Sequence, residues 1–278
     1  MSLPVDLAAV VQCRVPTATR QDLVLSKPLM RVLERIAVSW RERTLGRERV
    51  WGREHRLENH GARDGGISGL FSGPRGTGKT LAAEVLAHET RLDLYRVDLS
   101  HLVGHDIGET EKNLCRLFEA AESAGALLYF DEADALFGKR GEAKDVPDRC
   151  ANAEVDLLLQ RIEAFAGIVI LATSRREDID PAFLRRLTFA MDFALPDMAE
   201  RVEIWRRIFP PDTPVEGLDP ERLARLQLCG ADIRDIARSS AALAASEGQP
   251  VRMAHLLRAA VRQCAKLDQP IDLAAIAR

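Results

Sequence analysis

The chain has 278 residues, of which 46% are hydrophobic and 29% are charged, and its formal net charge is -3. This length allows one large α/β domain and a smaller one, and the composition is that of a folded globular protein. The small net charge gives no general attraction to nucleic acid or to an anionic membrane. No stretch of the sequence has the pattern of a signal peptide or a membrane span. A cytoplasmic protein without nucleic-acid or membrane partners is therefore expected.

Residues 1–66 form a lead-in to the rest of the chain. Up to about residue 25 the sequence has no regular pattern, so an irregular segment is expected there. From Ser26 onwards, apolar residues recur at helical spacing, which predicts an amphipathic helix. These residues are Leu29, Val32, Leu33 and Ile36. A stretch rich in arginine and glutamate and a glycine-rich loop complete the segment.

Between residues 67 and 196, short apolar runs alternate with amphipathic helical patterns. The predicted strands are 69–72, 94–98, 126–130, 168–173 and 191–195. Two of the intervening helices have clear apolar faces, formed by Leu114, Leu117, Phe118 and Ala121 in one and by Val155, Leu158, Leu159 and Ile162 in the other. Strands separated by such helices predict an α/β domain in which a parallel sheet is sandwiched between helices.

The pattern changes after residue 196. Residues 197–278 carry only helical patterns, which predicts a small all-helical domain. The sequence therefore predicts three parts: the lead-in 1–66, the α/β core 67–196 and the helical domain 197–278.

The most informative motif follows the first predicted strand. Residues 73–80 read GPRGTGKT, which fits G-x-x-x-x-G-K-[ST], and a helical run follows at once. In this context the glycines let backbone N–H groups surround phosphates, and the helix N-terminus adds positive potential. The alternative is a glycine-rich turn that happens to contain Lys-Thr. The sequence favours a P-loop NTPase fold that binds a nucleoside triphosphate and Mg²⁺. The predicted nucleotide contacts are Gly73, Pro74, Arg75, Gly76, Thr77, Gly78, Lys79, Thr80 and Leu81.

A second motif supplies acidic side chains. The run LLYFDEAD places Asp131 and Glu132 after a buried strand, at the edge of the sheet where open α/β folds bind ligands. Asp131 and Thr80 are the predicted metal ligands, with Asp131 acting through water, and Glu132 is the predicted polarising group for the attacking water. An exposed acidic turn is the alternative, and the nearby P-loop makes it less favoured.

Several longer runs resemble AAA+ ATPases rather than the helicases that also contain the DEAD tetrapeptide. The resembling runs are GETEKNLCRLFEAAE at 108–122, DEADALFGKR at 131–140, FLRR at 183–186 and GADIRDIA at 230–237. Within the AAA+ group, the sequence looks most similar to bacterial ATPases encoded with contractile, phage-tail-like injection systems.

The resemblance implies an oligomer with shared active sites. It implies a homo-oligomer, either a hexameric ring or a helical stack, that acts on a protein substrate. Arg185 and Arg186 occupy the place of arginines that reach a neighbour's nucleotide, and a surface pair near a helix end is the alternative. The resemblance does not choose between the two arginines. Gly230 and Ala231 occupy the start of the lid helix and are candidate contacts to the adenine base.

Two positions depart from the family pattern. Ser174 stands where the family usually has an asparagine that positions the attacking water, and a serine hydroxyl can keep that role only over a shorter reach. Asp106 stands at the aromatic position of the first pore loop, followed by Ile107. A carboxylate cannot grip apolar side chains, so general threading of polypeptides is in doubt.

Three functions are compatible with these motifs. The favoured one is an oligomeric ATPase that remodels or disassembles a protein partner. The alternative is an ATP-dependent structural switch or assembly factor with slow hydrolysis, to which Ser174 and Asp106 both lend weight. A P-loop small-molecule kinase is disfavoured because Glu132 and the arginine pair suit attack by water and no acceptor-binding lid is visible in the sequence.

Overall fold

The structure is a computed structural model that describes residues 10–50, 66–99, 107–134 and 147–266. Side chains are described throughout these stretches except at 46–50, 107–109 and 147–154. The strands are β1 (Val11–Arg14), β2 (Ile67–Ser72), β3 (Asp93–Asp98), β4 (Ala126–Asp131), β5 (Ile168–Thr173) and β6 (Phe189–Asp192). The α-helices are α1 (Lys27–Val50), α2 (Lys79–Thr90), α3 (Ile107–Ala124), α4 (Pro147–Ala164), α5 (Pro181–Leu184), α6 (Met198–Arg207), α7 (Pro220–Leu223), α8 (Gly230–Ser246) and α9 (Met253–Lys266).

A six-stranded sheet in the order β1-β3-β4-β5-β2-β6 organises the first part of the fold. The strands from β2 to β6 pair in parallel with one another. β2 and β5 are buried along their whole length, as strands with both faces covered must be. These observations confirm the predicted parallel sheet sandwiched between helices.

The helices cover the sheet through the apolar faces predicted from the sequence. One buried cluster contains Leu114, Leu117, Phe118 and Ala121 of α3 together with Val155, Leu158, Leu159 and Ile162 of α4. The ring of Phe118 also meets the ring of Phe165 edge to face, with centroids 5.3 Å apart. Aromatic pairs in this arrangement add to the stabilisation that comes from burial alone.

Strand β1 corrects one expectation for the lead-in. The sequence predicts an irregular segment up to about residue 25, but Val11–Arg14 pair antiparallel with β3. The prediction is wrong for these four residues, and the sheet is mixed rather than purely parallel. Only Val11 of β1 is buried, and a run of four residues is too short for its pattern to identify a strand. Its order comes from backbone pairing with residues 80 or more positions away, which local sequence cannot report.

The described residues form two compact units. The first unit consists of the described residues within 10–19, 27–73 and 79–193, and it contains the whole sheet. The second unit consists of 20–26, 74–78 and 194–266, and it contains α6 to α9. Each unit therefore combines segments that are distant along the chain.

The second unit has a helical core of its own. Ile233, Ile236 and Ala237 of α8 are buried in the same cluster as Leu256 and Ala260 of α9. The three residues of α8 recur at helical spacing, as the sequence predicts. The described part of the C-terminal region is therefore helical in the way expected from its pattern.

A close cross-strand pair fixes β6 beside β2, the strand that leads into the glycine-rich loop. Gly69 of β2 lies directly opposite Phe189 of β6. A Cβ atom built on Gly69 would overlap the ring of Phe189. The ring of Phe71, on the same strand as Gly69, lies 6.2 Å from that of Phe189 and 5.0 Å from that of Phe193. Phe189 thus fills the space that a side chain at position 69 would need.

We expect Gly69→Ala to lower the free energy of unfolding by about 1–3 kcal/mol, because the added methyl group overpacks the Phe189 ring. Equilibrium unfolding in urea measures the change. In a Phe189→Leu background the same substitution should cost clearly less, since the two positions are in contact. An equal cost in both backgrounds would show that the ring is not the cause.

Candidate functional site

The glycine-rich loop joins the end of β2 to the start of α2. Gly73, Gly76 and Gly78 have φ values of 136°, 80° and 100°, which residues with a side chain rarely adopt. α2 begins at Lys79, directly after the loop. The three glycines of the motif are therefore required by the backbone path, and the helix N-terminus stands where a phosphate-binding loop needs it.

Two side chains of the loop are held by its own carbonyl groups. Lys79 donates from Nζ to the backbone oxygen of Gly73 over 2.6 Å. Thr77 is buried, and its Oγ1 donates to the backbone oxygen of Pro74 over 2.8 Å. Pro74 and Arg75 are exposed. The Lys79 ammonium group is thus directed back over the loop to which it belongs.

Within the second unit, the first turn of α8 contacts the loop residues 74–78. The backbone N–H of Ala231 donates to the carbonyl oxygen of Gly76 over 3.2 Å. A Cβ atom built on Gly76 would overlap the Sγ atom of Cys229 and lie close to the Cβ of Ala231. Gly230 lies between these two residues at the start of the helix. The structure therefore places both predicted base contacts, Gly230 and Ala231, next to the glycine-rich loop.

Cys229 was not singled out by the sequence. Its thiol donates from Sγ to Oδ2 of Asp232 over 2.9 Å, and burial raises the pKa of this thiol. It acts as a packing residue against Gly76, and no motif in the sequence could have indicated that contact.

Strand β4 ends with the acidic pair, as predicted. Asp131 is the last residue of β4, and Glu132 follows it as an exposed residue. Glu132 has a φ of 51°, which is unusual for a residue other than glycine and costs on the order of 1–3 kcal/mol. Its backbone N–H donates to Oδ1 of Asp131 over 3.0 Å. The turn therefore places an exposed carboxylate, that of Glu132, directly after the partly buried carboxylate of Asp131, at a cost in backbone strain.

A buried tyrosine connects the acidic strand to the start of α2. Tyr129 is fully buried, and its hydroxyl group lies 3.0 Å from Oγ1 of Thr80. Burial raises the pKa of the phenol, and the charge of Asp131 raises it further, while the hydrogen bond to Thr80 acts in the opposite direction. The phenol therefore stays protonated and fixes the Thr80 hydroxyl next to β4. In the sequence alone, Tyr129 looks like an ordinary core residue of a buried strand and carries no sign of this role.

Arg96 is a further residue that the sequence analysis missed. It lies on β3, and its guanidinium group donates to Oδ2 of Asp131 from Nη2 over 2.6 Å and from Nε over 3.1 Å. In the sequence, an arginine inside the predicted strand LYRVD is only weak evidence for a residue of the site. The pairing of β3 with β4 is what brings Arg96 close to Asp131.

The oxygen donors at this edge fit magnesium. A hydroxyl group from Thr80 and a carboxylate from Asp131 are hard oxygen ligands, and Mg²⁺ is usually held by one or two such groups together with phosphates and water. Among the residues that the structure describes, no group of three or more His, Cys, Asp or Glu side chains could form a metal site of its own. The Thr80 hydroxyl and the Asp131 carboxylate suit a magnesium ion whose other ligands are phosphate oxygens and water.

Ser174 follows β5, the strand between β2 and β4. Asp134 holds the end of this strand, because its Oδ1 accepts the hydroxyl of Thr173 over 3.0 Å and the backbone N–H of Ser174 over 3.4 Å. Ser174 is therefore positioned beside the acidic turn by a residue of that same turn. In the sequence, Asp134 is recognisable only as the last residue of the DEAD tetrapeptide, and this support could not be predicted from it.

The two arginines predicted to act on a neighbour differ in their surroundings. Arg186 makes a two-pronged ion pair with Glu163, from Nε to Oε1 over 2.7 Å and from Nη2 to Oε2 over 2.9 Å. The hydrogen bond to Glu163 raises the pKa of the guanidinium group. Arg185 is exposed, and its side chain has no hydrogen bond or ion pair with any other residue in the described stretches.

Some predicted residues lie outside the described part of the chain. Asp106 and the loop around it are not described, and neither is the side chain of Ile107. The continuation of the acidic motif at 135–140 also falls outside the description.

A glycine-rich loop between a strand and a helix, with an acidic pair at the end of a parallel strand of the same sheet, defines a P-loop NTPase. Comparison with known families gives the particular group. Residues 69–196 match the AAA family, described as "ATPase family associated with various cellular activities". Over this segment the chain is similar to the ATPase domains of that family.

Individual proteins similar to this chain support the same assignment. A proteasome-activating nucleotidase of Methanococcus vannielii is 33% identical over 189 residues, which cover 65% of this chain and 46% of the relative. An AAA family ATPase of Sinorhizobium fredii is 34% identical over 186 residues, covering 66% and 52% respectively. An ATP-dependent zinc metalloprotease FtsH 3 of Sphaerobacter thermophilus is 33% identical over 189 residues, covering 64% and 38%.

The chain spans about half the length of these relatives, or less. The similarity therefore concerns the shared ATPase region. In the stretches that the structure describes, none of the helices is both long and apolar enough to cross a membrane.

We expect Lys79→Ala to weaken ATP binding by at least about 100-fold, because it removes the ammonium group that is predicted to contact the β- and γ-phosphates. Binding of a fluorescent ATP analogue measures the change, and thermal unfolding checks that the loop still folds without the contact to Gly73. Lys112→Ala, an exposed substitution on α3, is the matched control. An ATP affinity within about threefold of the parent protein would disprove the P-loop assignment of Lys79.

Proposed function

We propose that the chain is a Mg²⁺-dependent ATPase that works as a homo-oligomer, a hexameric ring or a helical stack, and that remodels or disassembles a protein partner. One observation carries the catalytic part of this proposal. The hydroxyl of Tyr129 lies 3.0 Å from Oγ1 of Thr80, and Asp131 and Glu132 follow Tyr129 directly on the same strand and turn. This contact brings the start of α2 and the acidic turn together, as hydrolysis of a bound nucleotide requires.

The residues that would bind the nucleotide are those of the glycine-rich loop and its helix. The backbone N–H groups of 73–80 would surround the phosphates, Lys79 would contact the β- and γ-phosphates, and Leu81 would follow within the first turn of α2. Gly230 and Ala231 would contact the adenine base. The proximity of Ala231 to Gly76 within one structural unit supports that role.

The metal ion would be held by Thr80 directly and by Asp131 through water. A Mg²⁺ ion bound there would neutralise part of the negative charge on the phosphate oxygens. Tyr129 would keep the Thr80 hydroxyl in place, because a buried phenol next to it has no other described partner. In this proposal the oxygen atoms of Thr80 and Asp131 bind the ion, and the contact between Tyr129 and Thr80 supports a positioning role for the ring.

Glu132 would polarise the attacking water, and Ser174 would orient it. The exposed carboxylate of Glu132 stands on a strained turn, and strain of this kind is often retained where a side chain must point in one direction. Ser174 lies at the end of the adjacent strand β5, with its backbone fixed by Asp134. Its hydroxyl is short, so we expect it to act with a second water molecule.

Arg185 or Arg186 would complete the active site of a neighbouring subunit. A guanidinium group supplied in this way stabilises the negative charge that develops on the γ-phosphoryl oxygens. Arg185 is free to reach outwards, whereas Arg186 would first have to leave Glu163. Because that pair is exposed to solvent, it holds the arginine only weakly.

Further parts of the proposal rest on the sequence. We propose that residues 67–196 are the catalytic core, that 197–278 form the lid and that 1–66 are a lead-in. We also propose a cytoplasmic location and a role beside contractile, phage-tail-like injection systems, on the basis of the motif run that resembles those ATPases. Two relatives are named for proteasome activation and for proteolysis, which agrees with a protein substrate.

A slow nucleotide-dependent switch is the second candidate function, favoured by the serine at position 174. The two candidates differ in how the ATPase rate depends on protein concentration. A remodelling oligomer with shared sites should show a rate per subunit that rises steeply with concentration. A switch should show almost no turnover at any concentration, and this result would replace the first proposal with the second.

Glu132→Gln should keep ATP binding and lose hydrolysis by at least about 100-fold, because the amide stays polar but cannot act as a base. Phosphate release and analogue binding are measured on the same preparation. Glu119→Gln, an exposed substitution on α3, is the control that should leave both unchanged. Turnover within about threefold of the parent would show that another residue activates the water.

Arg185→Ala and Arg186→Ala should leave ATP binding nearly intact, and at least one should reduce turnover by more than about tenfold, because the arginine acts on a neighbour's transition state. Mixing gives the sharper result. Subunits with Glu132→Gln and subunits with the damaging arginine change should regain activity together, since some interfaces then combine an intact Glu132 with an intact arginine.

The control for this pair is Arg35→Ala, an exposed substitution on α1 that should not alter turnover. Two inactive variants that co-assemble and stay inactive would contradict a trans role for these residues. If both arginine variants were fully active alone, Arg149, Arg175 and Arg176 would be tested next.

A further inference from the structure

The carboxylate of Asp131 is in contact with a positive side chain of its own sheet. Arg96 lies opposite Tyr129 in the register of β3 and β4, so it is the diagonal neighbour of Asp131 on the same face. Its guanidinium group reaches Oδ2 of Asp131 with two N–H groups, over 2.6 Å and 3.1 Å. A long side chain on a diagonal position can make such a contact without distorting the strands.

Both oxygens of this carboxylate accept hydrogen bonds from the protein. Oδ2 accepts the guanidinium group of Arg96, and Oδ1 accepts the backbone N–H of Glu132 over 3.0 Å. The pair is only partly shielded from water, since the side chain of Arg96 is 36% exposed and that of Asp131 is 20% exposed. The negative charge that a metal ion would use is therefore already compensated by a neighbouring cation.

A guanidinium group and a metal ion that bind the same carboxylate weaken each other's binding in two ways. Each occupies lone pairs that the other needs, and the two positive charges repel each other at short range. The opposition is reduced but not removed by solvent, because neither side chain is fully exposed. A neutral side chain at position 96 would remove both effects and leave the rest of the site in place.

We propose that Arg96 competes with Mg²⁺ for the carboxylate of Asp131 and thereby limits how strongly ATP binding depends on the metal. This inference rests on the proposed function, because it takes Asp131 as a metal ligand. Arg96 acts as a positioning residue through Asp131. Its effect would be to let the subunit release its metal–nucleotide complex more readily than the oxygen ligands alone would allow.

The test measures binding rather than turnover. The dissociation constant of a fluorescent ATP analogue is determined in EDTA and in saturating MgCl₂. The constant in EDTA divided by the constant in MgCl₂ gives the coupling between metal and nucleotide. Arg96→Gln should raise this ratio by at least about fivefold relative to the parent. Arg96→Lys, which keeps the positive charge, should stay within about twofold of the parent, and so should Arg35→Gln on α1.

Arg96→Met serves as a second neutral variant that retains the apolar part of the side chain, in case Arg96→Gln does not fold. Thermal unfolding without nucleotide identifies which variant to use. A ratio that is unchanged or lower in the folded neutral variant overturns the proposal, because Arg96 would then only orient Asp131. A parent protein that binds no nucleotide overturns the proposed function itself. Normal coupling in the parent with no change in the variant overturns the role of Arg96 alone.

Discussion

The parallel pairing of β2, β5 and β4 is the constraint on which the candidate site depends. Because these strands run in the same direction, the residues that follow them emerge at one edge of the sheet. The glycine-rich loop follows β2, Ser174 follows β5 and Glu132 follows β4. A single antiparallel strand in this group would place one of these elements at the opposite edge. β1 is antiparallel, but it lies at the outer side of β3 and leaves this order intact.

In strand β4 the buried apolar residues and the charged residue occupy different parts of the strand. β4 is fully buried from Ala126 to Phe130, and its charge begins only at Asp131, where the strand reaches solvent. Burying an unpaired carboxylate would cost several kcal/mol, so the acidic residues are tolerated only at this edge. The same argument explains Arg96, whose aliphatic stem can lie along the sheet while its guanidinium group meets Asp131 at the partly exposed edge.

The elements and motifs were predictable because they depend on neighbours in sequence. The loop at 73–80 and the pair Asp131–Glu132 are recognised from spacing alone, and the apolar faces of α3 and α4 follow from helical periodicity. The supporting residues were not predictable in this way. Arg96 lies 35 positions from Asp131, and Asp134 lies 40 positions from Ser174. Such partners come together only through the order and register of the strands, and these cannot be predicted from local sequence patterns.

The contrast between Arg185 and Arg186 bears on how a shared site could be controlled. Arg186 has a carboxylate partner within its own chain, Glu163, and any contact with another subunit's phosphate would have to replace that partner. Whether Arg186 binds Glu163 or a phosphate would then depend on the presence of a neighbouring subunit and its nucleotide. Arg185 has no such partner among the described residues, so its position would depend on the assembly alone. An arginine that exchanges partners can report nucleotide state to α4, which carries Glu163, whereas one that is simply exposed cannot.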